Sequence, residues 1–280
     1  MKQYLDLAQH VLDNGYVETH ERTGVTTTQV FGTQMRFDLS GGKIAAITTK
    51  EIHHKSIIHE LLWMIAGDTN VKYLQENGVR IWNEWAREDG ELGPVYGAQW
   101  RKWTTFKPMG MGVKKIVIDQ LANMVDKLRH APTDRRILVN AWNVGDLDEM
   151  QLPPCHMMFQ VDSEPASEEG GKRKLRLQMY QRSVDVFLGL PFNLEFYSIL
   201  AHMLAQVTNH EAVELIHVGG NVHIYENHLK QIQTQIKRKP KSQASVRLNP
   251  NIKEIDDFTY DDVEIVGYSS HPKLTGKVAV

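Results

Sequence analysis

The stretch Ser56-Ile57-Ile58-His59-Glu60-Leu61-Leu62-Trp63-Met64-Ile65-Ala66 constrains the fold of this chain more than any other. It is apolar nearly all round, which reads as a helix buried on every side. Such a helix needs other layers around it, and a chain of 280 residues, 41% of them hydrophobic, can supply them. Glu60 stands inside this segment. A carboxylate there must pair, hydrogen-bond or keep its proton, because an isolated buried charge is costly. It is therefore either a proton-transfer group or a structural hydrogen bond to a neighbouring strand.

Around that helix the apolar spacing predicts others. Leu5, Ala8, Val11 and Leu12 keep helical periodicity, with Gly15 as a C-cap. Ile118, Leu121, Val125 and Leu128 fit another helix, and Phe196, Ile199, Leu200, Met203, Leu204 and Val207 fit a fourth. Strands are expected over 137–142, 157–161, 175–181 and 216–222. The polar run 163–174 reads as a solvated hairpin loop. With no repeat and no linker, residues 1–280 read as one continuous mixed α/β domain.

A formal charge of −2 argues against a dedicated nucleic-acid binder, which carries a basic excess. The segment Met1 to Asp6 lacks the apolar core of a signal peptide, and no apolar run approaches membrane-spanning length. One cysteine allows no internal disulfide, so a reducing cytoplasm is the expected compartment.

That cysteine, Cys155, sits in Leu152-Pro153-Pro154-Cys155-His156, shortly after Arg135-Arg136. It is either a small core side chain or a nucleophile whose thiolate is favoured by cationic neighbours. Arg22, Arg135, Arg136 and Arg182 stand in polar or turn contexts, as surface ion pairs or as a phosphate grip, to which Ser183 could add a hydroxyl. Trp82, Trp85 and Tyr96 are core aromatics or flat walls for a heterocycle. Asn193, in a turn just before a helix, is a cap or a reader of an imide edge. The histidines give no convincing metal face: after His59-Glu60 the second histidine of a zincin pattern is replaced by Trp63. No metal is expected.

In order along the chain stand Arg22-Thr23-Gly24, His59-Glu60-Leu61-Leu62-Trp63, Gly67-Asp68-Thr69-Asn70, Trp82-Asn83-Glu84-Trp85 and Gly93-Pro94-Val95-Tyr96-Gly97. Downstream come Arg135-Arg136, Ala141-Trp142-Asn143, Pro154-Cys155-His156, Gln181-Arg182-Ser183-Val184-Asp185, Gly189-Leu190-Pro191-Phe192-Asn193 and His223-Ile224-Tyr225. Taken together they resemble the thymidylate synthase family nearly end to end.

The resemblance implies an α+β fold: a large mixed twisted sheet covered by helices on one face and dimerising through the other. It implies reductive methylation of dUMP to dTMP, with 5,10-methylenetetrahydrofolate as co-substrate giving carbon and hydride. Cys155 would add to C6 of the uracil, making C5 a nucleophile. Arg22, Arg182 and Ser183 would hold the phosphate, joined by Arg135 and Arg136 from the other subunit, and Arg182 would also face the Cys155 sulfur. Asn193 would read the uracil edge, His223 and Tyr225 would hold the deoxyribose hydroxyl, and Gln181 would also contact the substrate. Glu60 and Tyr96 would organise waters for proton transfer, with His156 nearby. Asp185 would bind the pterin, in a folate pocket built from His53, Ile81, Trp82, Trp85, Leu152, Gly189 and Phe192. Ala279, in the terminal Val278-Ala279-Val280, would close over it.

The chain departs from the family pattern at Glu51, where a basic residue is common, and at Asn83 and Asn221, where aspartate is common. The nearest rival on the same scaffold is a deoxyuridylate hydroxymethylase, in which water replaces the hydride. A further alternative is a non-catalytic nucleic-acid-binding protein, which composition does not favour.

Overall fold

The structure, a computed structural model, describes residues 1–21 and 24–278. The chain opens with α1 (Lys2–Asn14), β1 (Tyr16–Thr19) and β2 (Thr26–Asp38), followed by α2 (His54–Ile65), α3 (Lys72–Glu76) and α4 (Gly97–Lys102). A hairpin of β3 (Trp103–Met109) and β4 (Gly112–Ile118) leads into α5 (Gln120–His130) and β5 (Leu138–Asn140). Then come β6 (His156–Glu164), β7 (Arg173–Asp185), α6 (Gly189–Val207), β8 (His210–Tyr225), α7 (Leu229–Gln235), β9 (Ser245–Leu248) and β10 (Val263–Val266).

Six strands form one mixed sheet in the order β1-β2-β8-β7-β6-β5. Among the described residues only β7 and β8 run parallel, and α6 is the crossover that a parallel pair requires. Register explains the core. Met35, His217, Met179, Phe159 and Val139 line up across five strands, and all are buried. One residue along, Gln34, Val218, Tyr180 and Met158 form a row on the other face that stays exposed or half-buried. The alternation is thus apolar toward the helices and mixed on the far side. The large mixed sheet and α+β class expected from the sequence are what the chain forms.

Helix α2 is the central buried element, with every residue from Ser56 to Ile65 buried. It lies against α4 and α6, and Gly97 is where the α4 backbone comes closest: a Cβ there would stand 2.6 Å from the Met64 carbonyl oxygen. Burying side chains such as Ile57, Leu61 and Met64 stabilises the fold by roughly 1.5–3 kcal/mol each.

Three local expectations are corrected. Helix α6 begins at Gly189, so Asn193 lies inside it rather than in a turn before it. Pro191 did not delay the start, because the first-turn N–H groups of a helix have no intrahelical partner anyway. Ile118 closes β4 instead of opening α5, whose N-cap is Asp119, accepting from the Ala122 N–H at 2.9 Å. Gly15 follows α1 with an extended backbone, φ −75°, rather than a left-handed one. Close approach explains the glycine there: a Cβ would meet the Val11 carbonyl oxygen at 2.4 Å.

Candidate active site

Cys155 ends the loop that enters β6, at the end of the sheet where β7 and β8 finish. The loop is held from two sides. The Cys155 N–H donates to the Tyr96 hydroxyl at 2.8 Å, and the Cys155 carbonyl accepts from the Arg182 N–H at 2.8 Å. The Arg182 side chain reaches back along the same loop. Its Nε donates to the Pro154 carbonyl at 2.8 Å and its Nη2 to the Pro153 carbonyl at 2.9 Å. The guanidinium also faces the Trp142 ring, its Cζ 5.1 Å from the ring centre. The loop that carries this half-buried cysteine is thereby fixed through its main chain by a permanently charged side chain.

A polar arm runs inward from Tyr96. This tyrosine adopts φ 21°, ψ −82°, outside the regions that a residue with a Cβ normally occupies. Such strain costs on the order of 1–3 kcal/mol and persists only where the surroundings fix it. Here the surroundings are the Trp82 ring, 5.7 Å from that of Tyr96, and the His156 ring at 4.4 Å. Trp82 Nε1 donates to Glu60 Oε1 at 2.7 Å. Burial pushes the Glu60 carboxyl up to about 7, with the Trp82 hydrogen bond pulling partly the other way. The acid can therefore hold or release a proton near neutrality. His156, hydrogen-bonded through Nδ1 to the Tyr197 hydroxyl at 2.8 Å, is driven by burial down to about 3 and stays neutral. Burial raises both tyrosines, Tyr96 and Tyr197, well above their ordinary range, so they keep their hydroxyl protons.

The carboxyl ends of β7 and β8 supply the next group. Gln181 Nε2 donates to Asn193 Oδ1 at 3.0 Å, tying the strand to the second turn of α6. Asp185 Oδ1 accepts the N–H groups of Phe187 at 2.9 Å and Leu188 at 3.1 Å, which turns the chain into that helix. Gly189 stands against both: a Cβ on it would lie 3.7 Å from the Asp185 Cβ and 3.8 Å from Asn193 Oδ1. Ser183 pairs in register with Asn221, and Asp185 with His223. His223 Nδ1 lies 2.8 Å from Asn221 Oδ1, and its ring meets that of Tyr225 edge-on at 4.9 Å. Lys50 is buried near Asp185. Its Nζ donates to the Phe187 carbonyl, and burial lowers it to about 8 against the pull of Asp185.

Ile81, Trp85, Leu152 and Phe192 are partly buried apolar side chains packed against the core, with Trp85 edge-on to Trp82 at 5.8 Å. They are the large, half-exposed apolar groups that a flat ring system could cover. His53 is exposed and bonds Ser56 at 2.7 Å across the first turn of α2. Arg135 and Arg136 are exposed, with Arg136 Nε on Asp134 at 3.0 Å. Arg22 and Ala279 lie outside the described residues. The described residues contain no cluster of histidine, cysteine and acid groups suited to a metal. Two surface cavities lie at the opposite, amino-terminal ends of β7 and β8; His210 lines both, and Arg129 and Arg173 line the first. There Arg129 donates to the Val207 carbonyl and to Glu254, and Arg173 and His210 meet at the Ser163 hydroxyl.

Several residues of this region escape the sequence reading as site members: Trp142 under Arg182, Tyr197 on His156, Lys50 by Asp185, and His217. For His217 a signal existed. It shares the alternating series of β8 with Asn221 and His223, and strand periodicity puts such residues on one side until the strand bends.

A buried acid, a strained tyrosine and a cysteine gathered at one end of a sheet have the make-up of an enzyme rather than of a binding module. The chain belongs to the thymidylate synthase family: the model of that family, described as thymidylate synthase, matches residues 2–280. Membership makes it an enzyme of methyltransferase type.

Proposed function

We propose that the chain converts dUMP to dTMP by covalent catalysis through Cys155, using 5,10-methylenetetrahydrofolate. The observation that carries this reading is the double hold on Cys155, by Tyr96 on one side and Arg182 on the other, in a chain of this family. The folate supplies one carbon and a hydride. Every other step belongs to the protein.

The Cys155 sulfur adds to C6 of the uracil and leaves C5 electron-rich to take the one-carbon unit. C5 then loses its proton, and once the hydride is delivered the sulfur leaves C6 and the ring double bond is restored. Asn193 reads the base edge, with Gln181 behind it. Arg182 and Ser183 take the phosphate together with Arg22, and Arg135 and Arg136 reach it from a second copy. That last role suits their exposure. The half-apolar outer row of the sheet, Val218, Tyr180 and Met158, is the surface through which two copies would pack. Glu60 and Tyr96 pass protons through ordered water, because the acid titrates near neutrality while Tyr96 stays protonated. Ile81, Trp82, Trp85, Leu152 and Phe192 wall the folate, with His53, Asp185, Gly189 and Ala279 completing its pocket. Among the described residues no helix is long and apolar enough to cross a membrane, which accords with work in the cytoplasm.

A spectrophotometric assay with dUMP and methylenetetrahydrofolate, followed by mass analysis of the nucleotide, tests the reading. Dihydrofolate absorbance with a methylated product supports it. Hydroxymethyl-dUMP with tetrahydrofolate released would assign the chain to the hydroxymethylase reaction instead.

A further inference from the structure

Behind Asn193 and Gln181 stands a buried side chain, His217, that the reaction scheme leaves unused. His217 Nε2 lies 3.1 Å from Gln181 Oε1. Gln181 Nε2 donates to Asn193 Oδ1 at 3.0 Å and to the Ser183 carbonyl at 3.0 Å. Both Gln181 and His217 are buried, the histidine completely.

The polarity of this hydrogen-bonded series is decided at Ser183. A main-chain carbonyl can only accept, so the Gln181 amide nitrogen must face it and the amide oxygen must face His217. That oxygen only accepts, so the imidazole carries its proton on Nε2. The other ring nitrogen agrees: Nδ1 is buried with no partner among the described residues, and a bare lone pair there costs less than a stranded N–H. Burial also lowers His217 to about 4, which leaves the ring neutral with a single proton to place.

We propose that His217 is a specificity-determining positioning residue: by holding the Gln181 oxygen it fixes which way the Asn193 amide points. The Asn193 oxygen is turned to Gln181 with one lone pair left for a ring N–H, and its nitrogen is left to donate to a base carbonyl. That is the uracil pattern. The reversed amide would present the pattern suited to an exocyclic amino group and an unprotonated ring nitrogen. The inference rests on the reading of Asn193 as base reader.

His217→Phe keeps a ring of similar size and removes the donor, whereas His217→Gln keeps a donor that can reach Gln181. The dissociation constants of dUMP and dCMP are measured for both variants and the parent enzyme. His217→Phe should lower the preference for dUMP about tenfold, the size expected for one unmade buried hydrogen bond. His217→Gln should restore it to within about threefold, and kcat with saturating dUMP should move less than the binding ratio. An equal preference in the two variants overturns the inference. Should His217→Phe not fold, 15N NMR of histidine-labelled parent enzyme decides: a proton on His217 Nε2 supports the inference and one on Nδ1 overturns it. Asn193→Asp is measured in parallel. If Asn193→Asp shifts preference toward dCMP while His217→Phe does not, only the role of His217 falls. If Asn193→Asp changes nothing, the base-reader assignment itself falls.

Discussion

Glu60→Gln should make the folded protein more stable and the enzyme far slower, and the stability gain should appear only as pH rises. In the unfolded chain this carboxyl loses its proton near the ordinary value of 4.5, while in the folded chain it holds it to about 7. Between those values the native state keeps a proton that the unfolded state has released. Stability therefore falls as pH climbs through that window and levels off above it; below 4.5 the penalty is absent. At about 1.4 kcal/mol per tenfold change in proton affinity, the gap corresponds to about 3 kcal/mol. Glutamine carries no charge at any pH, and its carbonyl oxygen can still accept from Trp82 Nε1. Urea denaturation of both proteins at pH 4.5 and pH 8 isolates the effect, because every other titrating group cancels in the comparison. The variant should gain about 3 kcal/mol relative to its parent on going from the lower pH to the higher, and turnover should drop by about 10²–10⁴. A stability difference that stays constant between the two pH values would refute the argument that Glu60 is held protonated by burial. Unchanged turnover would refute its part in proton transfer.

Other expectations follow from the same geometry. Cys155→Ser should lower turnover by more than about 10³-fold while calorimetry finds dUMP binding nearly intact; retained activity would remove the sulfur from the mechanism. Mixing Cys155→Ser with Arg136→Ala protomers should recover activity that neither has by itself, since one hybrid site then combines an intact thiol with an intact arginine, and no recovery on mixing would place Arg136 in its own subunit's site or in none. Tyr96→Phe removes the acceptor of the Cys155 N–H and should cost about 1–3 kcal/mol in denaturant unfolding; no loss would mean water replaces the hydroxyl there. Gly97→Ala sets a methyl 2.6 Å from the Met64 carbonyl oxygen and should lower the melting temperature, in keeping with an overpacking cost of roughly 1–3 kcal/mol. An unchanged melting temperature would mean that α2 and α4 can separate freely.

What could be read from the sequence and what could not divide along a physical line. The buried helix α2, the apolar carboxyl-terminal part of α6, and strands β6 to β8 are legible because apolar periodicity is the signal and burial is its cause. Strand β2 was missed because Thr26, Thr27, Thr28 and Gln29 carry no apolar alternation; Thr27 and Gln29 are nonetheless buried, in a polar cluster with His20 and Asn221 that only tertiary pairing supplies. The β3–β4 hairpin was missed for the opposite reason: Phe106, Met109, Val113 and Val117 are apolar yet exposed, so no core pattern marks it. At the site the residue types could be picked out, but not their mutual arrangement. Glu60 violates the rule that carboxylates avoid an apolar core, and Tyr96 the rule that side-chain-bearing residues avoid positive φ. The two meet through one tryptophan beside the cysteine loop. Places where local preference is overruled carry a cost in stability, and a fold retains such costs where chemistry needs them. That is why the gain in stability of Glu60→Gln and its loss of turnover should arise from the same carboxyl group, and why separating the two effects would break the link between strain and function argued for this sheet end.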